Sequence, residues 1–265
     1  MAKRLFRLFT ELSSRKTVCR VTGKFAKSGA SRRLIPWFVR TYGISVEEAE
    51  KAVGEYGSLN EFFTRRLKAG ARPIDPADDA LVSPVDALIM DMGIVQEGTI
   101  LGIKGQRYTI EELLNRCPRA VNYRNGFFIV LYLSPADYHR IHSPVQGKVL
   151  ESEHVKGRVY PVREKSLTYV RQVLSRNERL ITYIQHPYGE LAVVKVGALN
   201  VSSIQYTGQM PRELERGEEF AYFEFGSTVI LLMENGTFQV KTGLAAGTRV
   251  RMGERLGMLH RKSSG

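Results

Sequence analysis

The sequence predicts an α+β protein with a mainly antiparallel, barrel-sandwich-like β body behind a helical N-terminal region, and three observations carry that expectation. Two capping-box patterns, Ser45 with Glu48 and Ser58 with Glu61, place short helices over 46–54 and 59–67, because hydroxyl and carboxylate together satisfy N–H groups that a first helical turn leaves free. From Leu81 onward the texture changes to short β-rich runs, Phe127–Leu133, Leu180–Ile184 and Leu191–Val196, set off by turns such as His186-Pro187-Tyr188-Gly189 and Asn235-Gly236. The chain ends in glycine-punctuated runs, Gly243 to Val250 and then Gly253 and Gly257.

A chain of 265 residues, 43% hydrophobic and 25% charged, buries a substantial core in one large domain, with or without a small appendage. Cys19 and Cys117 stand far apart in no recognisable spacing, which supports neither a disulfide framework nor a thiolate metal site and points to a reducing compartment. Residues 1–40 hold eleven Lys/Arg against the single acid Glu11, so most of the formal charge of +12 sits in this one segment. A nucleic-acid binder spreads its basic side chains over a folded surface with aromatic platforms between them, and this distribution argues against that class.

Within the segment Leu5, Leu8, Phe9 and Leu12 recur at helical spacing among Lys3, Arg4, Arg7, Arg15 and Lys16, the pattern of an interfacial amphipathic helix. Docking on the protein's own body and organelle targeting are the alternatives. No apolar stretch is long enough to span a bilayer, and Arg7 and Glu11 interrupt any signal-peptide core. Ser83-Pro84-Val85-Asp86 and Ser143-Pro144-Val145-Gln146 echo each other, a short hint of an internally repeated β unit. The glycine-rich ending resembles the strands of biotinyl and lipoyl barrel-sandwich folds but lacks their Met-flanked Lys, which disfavours a swinging-arm carrier.

Asp86, His139, His142 and Ser227 supply an acid, two candidate bases and a nucleophile. Alone, each has an ordinary structural reading as a turn former, a hydrogen-bonder beside a proline or a Gly-Ser turn. Together they are more informative. His139 and His142 follow a strand that ends at Leu133, and strand ends commonly present side chains to a cleft. No third ligand of suitable spacing accompanies them, since His154, His186 and His260 are scattered, so no metal is expected. Gly226 and Ser227 open an apolar strand, and glycine leaves its carbonyl open to attack. The surrounding Glu224-Phe225-Gly226-Ser227-Thr228 is not the Gly-x-Ser-x-Gly elbow of hydrolases.

Four segments, Phe62-Phe63-Thr64-Arg65-Arg66-Leu67, Ser83-Pro84-Val85-Asp86, Leu133 through Pro144 and Phe225-Gly226-Ser227-Thr228, resemble the motifs of phosphatidylserine decarboxylases of the compact bacterial type. The resemblance runs from about residue 56 to the C-terminus, with Phe225 where the family often has Leu and Ala87 where it often has Gly. It implies a basic helical membrane-associating region over 1–70 and a β-rich catalytic domain over 71–265. It further implies that Ser227 attacks the Gly226 carbonyl, that the chain breaks into 1–226 and 227–265, and that residue 227 becomes a pyruvoyl group, the enzyme's own cofactor. By the same resemblance Asp86 orients His142, His142 takes the Ser227 proton, and His139 reprotonates the substrate after carbon dioxide leaves a Schiff base on the pyruvoyl group; the two histidine roles are open to exchange.

The resemblance also implies an anionic phospholipid as partner, phosphatidylserine converted to phosphatidylethanolamine, and a peripheral location on the cytoplasmic face of the cell membrane. The large and small pieces would stay together as a heterodimer, and a homodimer also fits. The run Val196 to Ile204 resembles a family strand near the substrate pocket, and a buried barrel strand explains its apolar residues equally well. Other readings are the same chemistry on another serine-headgroup lipid or a soluble amino acid, a serine hydrolase built on Asp86, His142 and Ser227, and a non-catalytic membrane-anchored binding module.

Overall fold

The computed structural model of the protein describes residues 16–103, 106–160, 162, 170, 172–198, 204–224 and 227–262. The apolar lead around Leu5 to Leu12, the segment 199–203 and the pair Phe225 and Gly226 lie outside the described residues. Three helices come first: α1 (Lys16–Lys27), α2 (Ile35–Tyr42) and α3 (Leu59–Phe63). Pro36 sits in the first turn of α2, where its missing N–H costs nothing, and Gly43 closes the helix in the left-handed region at φ 63°. Ile35, Phe38, Tyr56, Phe62 and Phe63 form a small helical core.

Ser58 caps α3 as expected, its Oγ accepting from Glu61 N at 3.1 Å. The other expected helix, over 46–54, does not form, and α3 stops at Phe63 instead of continuing to 67. One cause explains both. Glu50 N donates to Arg66 O and Lys68 N donates to Glu48 O, each at 2.9 Å, so the two segments pair with one another around an Ala49 to Leu67 bridge. The Glu48 carboxylate, meanwhile, accepts from Arg72 at 2.8 Å rather than turning back to cap its own backbone.

The strands follow in order: β1 (Ala80–Val82), β2 (Ala87–Ile94), β3 (Thr99–Ile103), β4 (Gln106–Thr109), β5 (Phe127–Leu133), β6 (Arg140–His142), β7 (Gly147–Val155), β8 (Arg179–His186), β9 (Gly189–Gly197), β10 (Ile204–Tyr206), β11 (Glu213–Leu214), β12 (Glu219–Phe223), β13 (Ser227–Met233), β14 (Phe238–Val240), β15 (Arg249–Val250) and β16 (Arg255–Leu259). All pair antiparallel. The largest sheet runs β11-β7-β8-β9-β13-β5-β2-β15, and two three-stranded sheets run β1-β16-β14 and β10-β12-β6. The α+β expectation with an antiparallel body therefore holds; the described strands do not close into a barrel.

An unbroken apolar run in a strand needs cover on both faces, and β13 has one from Val229 to Met233, with Thr228 through Met233 all fully buried. On one face Val229, Leu231 and Met233 pack with Leu131, Leu133, Phe220, Phe223 and Leu256, the last three from the small sheets. On the other, Ile230 and Leu232 pack with Val194, Tyr108, Leu113 and Leu174. Fully burying side chains of this size contributes about 1.5–3 kcal/mol each, so β13 is clamped at the centre of the molecule.

Candidate active site

The backbone register places Ser227 at one end of the large sheet, where the connection that carries His139 also begins. Ser227 opens β13 opposite Leu133, the last residue of β5, and opposite Gly197, the last residue of β9. The 134–139 connection leaves β5 at that point and leads directly into β6. Asp137 shapes it, its carboxylate accepting from Ser134 N at 2.6 Å while also pairing with Arg249.

His139 at the end of this connection is fully buried. Its Nδ1 lies 2.8 Å from the Asp137 carbonyl, and since a carbonyl only accepts, Nδ1 carries the proton. That leaves Nε2 a bare lone pair, buried without a partner. The Phe63 ring lies 4.0 Å away, centroid to centroid. Burial pushes the His139 pKa down to about 3, against the help of the Asp137 carbonyl.

His142 closes β6. Its Nδ1 donates to the Gly217 carbonyl at 2.8 Å and its Nε2 accepts from the Tyr138 hydroxyl at 3.0 Å. Burial again lowers the pKa, opposed by the bond to Gly217 and by Glu219, so this imidazole is also neutral near pH 7.

Asp86 stands on the other side of a shared turn. Arg72 Nε lies 2.9 Å from Oδ1 and Arg72 Nη2 lies 2.6 Å from Oδ2, a two-pronged grip that uses the planar guanidinium fully. Met252 N adds a third bond to Oδ1 at 2.8 Å. The expected direct bond from Asp86 to His142 is not made. The carboxylate is saturated by Arg72 and Met252, and the imidazole is oriented by Gly217 and Tyr138 instead. What joins the two is backbone, His142 N donating to Pro84 O at 2.9 Å. Asp86 and Tyr138 both line a cavity of about 450 Å³ that Arg65, Arg72, Arg249 and Arg251 also border.

Sequence reasoning named Asp86 and both histidines but missed what holds them. Tyr138 stands next to His139 in sequence, a usable signal, whereas Phe63 lies in a motif far upstream and nothing local ties it to the histidines. Arg72, alone before a proline, gave none. Among the described residues no cluster of three His, Cys, Asp or Glu side chains is arranged to hold a metal.

A family model described as phosphatidylserine decarboxylase matches residues 59–258. The chain belongs to the phosphatidylserine decarboxylase family and is, by class, a decarboxylase. It is 45% identical over 258 residues to the phosphatidylserine decarboxylase proenzyme of Geobacillus kaustophilus (strain HTA426), covering 97% of each chain. It is 42% identical over 259 residues to the proenzyme of Geobacillus sp. (strain WCH70), covering 98% of this chain and 100% of that one. The Halalkalibacterium halodurans proenzyme is 44% identical over 257 residues, with 97% of this chain and 98% of the relative covered.

Proposed function

We propose that the chain cuts itself between Gly226 and Ser227, and that the mature enzyme uses a pyruvoyl group at position 227 to convert phosphatidylserine to phosphatidylethanolamine. The observation that carries the reading is the register: the backbone of Ser227 begins β13 at the sheet end where β5 releases the connection to His139 and His142. An orphaned Nε2 on the fully buried His139 imidazole, at the end of the connection that leaves β5, suits a site that must move single protons out of bulk water.

In this reading Ser227 attacks the Gly226 carbonyl, His142 takes the hydroxyl proton, and the acyl group passes from nitrogen to oxygen. Elimination then leaves a carboxylate on Gly226, and addition of water with loss of ammonia completes the group at 227. To act, His142 Nε2 must first give up the Tyr138 hydroxyl. Asp86 contributes at one remove, anchoring the turn whose Pro84 carbonyl receives His142 N. When formed, the group supplies an electron sink for the bond to carbon dioxide. His139, neutral with Nε2 free, takes the proton shed by the substrate ammonium and returns it to the substrate carbon.

The lipid is met by the helical lead. Val21, Phe25, Leu34 and Trp37 are exposed beside Lys24, Arg32, Arg33 and Arg40, and each basic residue near an anionic surface contributes about 1 kcal/mol. No described helix is long and apolar enough to cross a membrane, so the contact proposed is peripheral.

Intact mass spectrometry of the wild type beside Ser227→Ala tests the reading. The expected result is two wild-type pieces, 1–226 and 227–265, the smaller lighter by one ammonia than a hydrolytic fragment, with the variant whole. A folded wild-type chain that stays whole overturns it, and labelling by a fluorophosphonate would then favour a serine hydrolase.

A further inference from the structure

The connection from β12 to β13 carries the proposed scissile bond, and its upstream end is held at two places. Phe223 N donates to His139 O at 3.0 Å, which ties the end of β12 to the histidine connection. The next residue, Glu224, reaches across to the helical layer, where Lys27 Nζ at the end of α1 lies 2.7 Å from its Oε1. The two partners are unequal. The Glu224 side chain is 6% exposed and that of Lys27 49%, and the second carboxylate oxygen, Oε2, is buried with no partner. Lys27 is the only cation ion-paired to Glu224 among the described residues.

An exposed ion pair adds little to stability, but removing the cation from a carboxylate that is itself buried leaves a charge that has to find water or neutralise. The easiest way for Glu224 to do so is to swing outward, carrying with it the chain that leads to Ser227. Stability of the whole fold would change little, since the strands on either side stay paired. The geometry of attack would change a great deal, because a reacting group displaced by about 1 Å loses up to about a hundredfold in rate.

We propose that Lys27 is a positioning residue for self-cleavage, pinning Glu224 so that the 226–227 peptide bond is presented to the histidine connection. The proposal rests on the cleavage reading above. It assigns to an N-terminal helix, far away in sequence, a part in forming the prosthetic group.

The test follows cleavage against time by intact mass in freshly translated full-length chains, with thermal midpoints measured on the Ser227→Ala background so that every sample is uncut. Lys27→Met is expected to slow cleavage by about ten- to a hundredfold while its midpoint stays near the parent's. Lys27→Arg restores the rate, and so does the reciprocal exchange Lys27→Glu with Glu224→Lys, which a mere packing role for the lysine stem would not allow. Lys27→Met cutting at the wild-type rate overturns the proposal, as does failure of both Lys27→Arg and the exchange to recover. A wild type that never cuts is seen in the same experiment and removes the cleavage reading itself.

Discussion

In the turn that carries Asp86, Ser83 Oγ donates to the Val85 carbonyl at 2.7 Å; in the turn sixty residues later, Ser143 Oγ donates to the Val145 carbonyl at 2.6 Å. The likeness extends outward. Ser83 N donates to Glu254 O and Ser143 N to Glu218 O, both at 2.8 Å, while Gly253 N donates to Ser83 O and Gly217 N to Ser143 O. The two turns also cross, Val82 N donating to Pro144 O and His142 N to Pro84 O. The weak four-residue echo in the sequence is thus a local two-fold in space. Yet the copies are loaded differently. The first ends in Asp86, buried on Arg72, and the second in Gln146, whose side chain meets Glu215 at 3.5 Å on the surface. The residue ahead of the serine is Val82 in one copy and His142 in the other. A symmetric frame brings two strands close, and the chemistry is placed on opposite corners of it.

Breaking the loaded corner gives the largest expected effect. Arg72→Met strips the buried Asp86 of its guanidinium, leaves Glu48 paired with Arg251, and should cost about 3 kcal/mol or more in urea unfolding. Gln146→Ala, its counterpart on the other copy, should stay within about 0.5 kcal/mol. Equal losses would mean that the Arg72 cluster is no more than surface decoration.

Acid comes next. Burial pushes His139 down to about 3 and His186 down to about 4. Above the ordinary value of 6.5 the folded and unfolded forms are both neutral and neither histidine costs anything. Below it the unfolded chain takes up protons that the folded form refuses, so stability falls with pH at roughly 1.4 kcal/mol per unit for each histidine until the folded pKa is reached. Unfolding free energies at pH 7 and pH 5 measure the slope, and His186→Gln should reduce it by one histidine's share.

Ser83→Ala and Ser143→Ala sharpen the likeness, since each leaves one buried carbonyl short of a partner and should cost about 1 kcal/mol. Markedly unequal values would show that the two turns are alike in outline only. An effect on stability as small as that of Gln146→Ala, within about 0.5 kcal/mol, is expected at Trp37→Ser. Binding to vesicles containing an anionic phospholipid should nevertheless fall several-fold in a sedimentation assay, given the apolar area that a Trp contributes at an interface.

Much of this was legible because it is local. Phe127–Leu133 is bounded as the apolar run suggests, and both quoted turns separate strands. The histidines and Asp86 can be singled out from short motifs, and the bond from His142 N to Pro84 O ties two of those motifs together. What could not be read depends on partners far apart in sequence. Glu48 looks like the third residue of a capping box until Arg72 is placed beside it. Asp86 looks like a partner for His142 until Arg72 and Met252 occupy it. Nothing local foretells that Gly217 would supply the carbonyl for His142, although its Gly-Glu step matches that of Gly253 and Glu254.

β13 is paired along its whole length on both sides, with β5 and with β9, and β15 and β16 beyond it are threaded into two further pairings. A chain severed just ahead of Ser227 would therefore lose no sheet contact, and its short piece would remain the central slat of the other. Unfolding would be another matter. Two separate molecules would leave the denatured state, so refolding would become second order and the apparent stability would rise with protein concentration. An enzyme matured in this way is assembled as a single molecule and held thereafter as a complex, and dilution after denaturation would not return it to where it began.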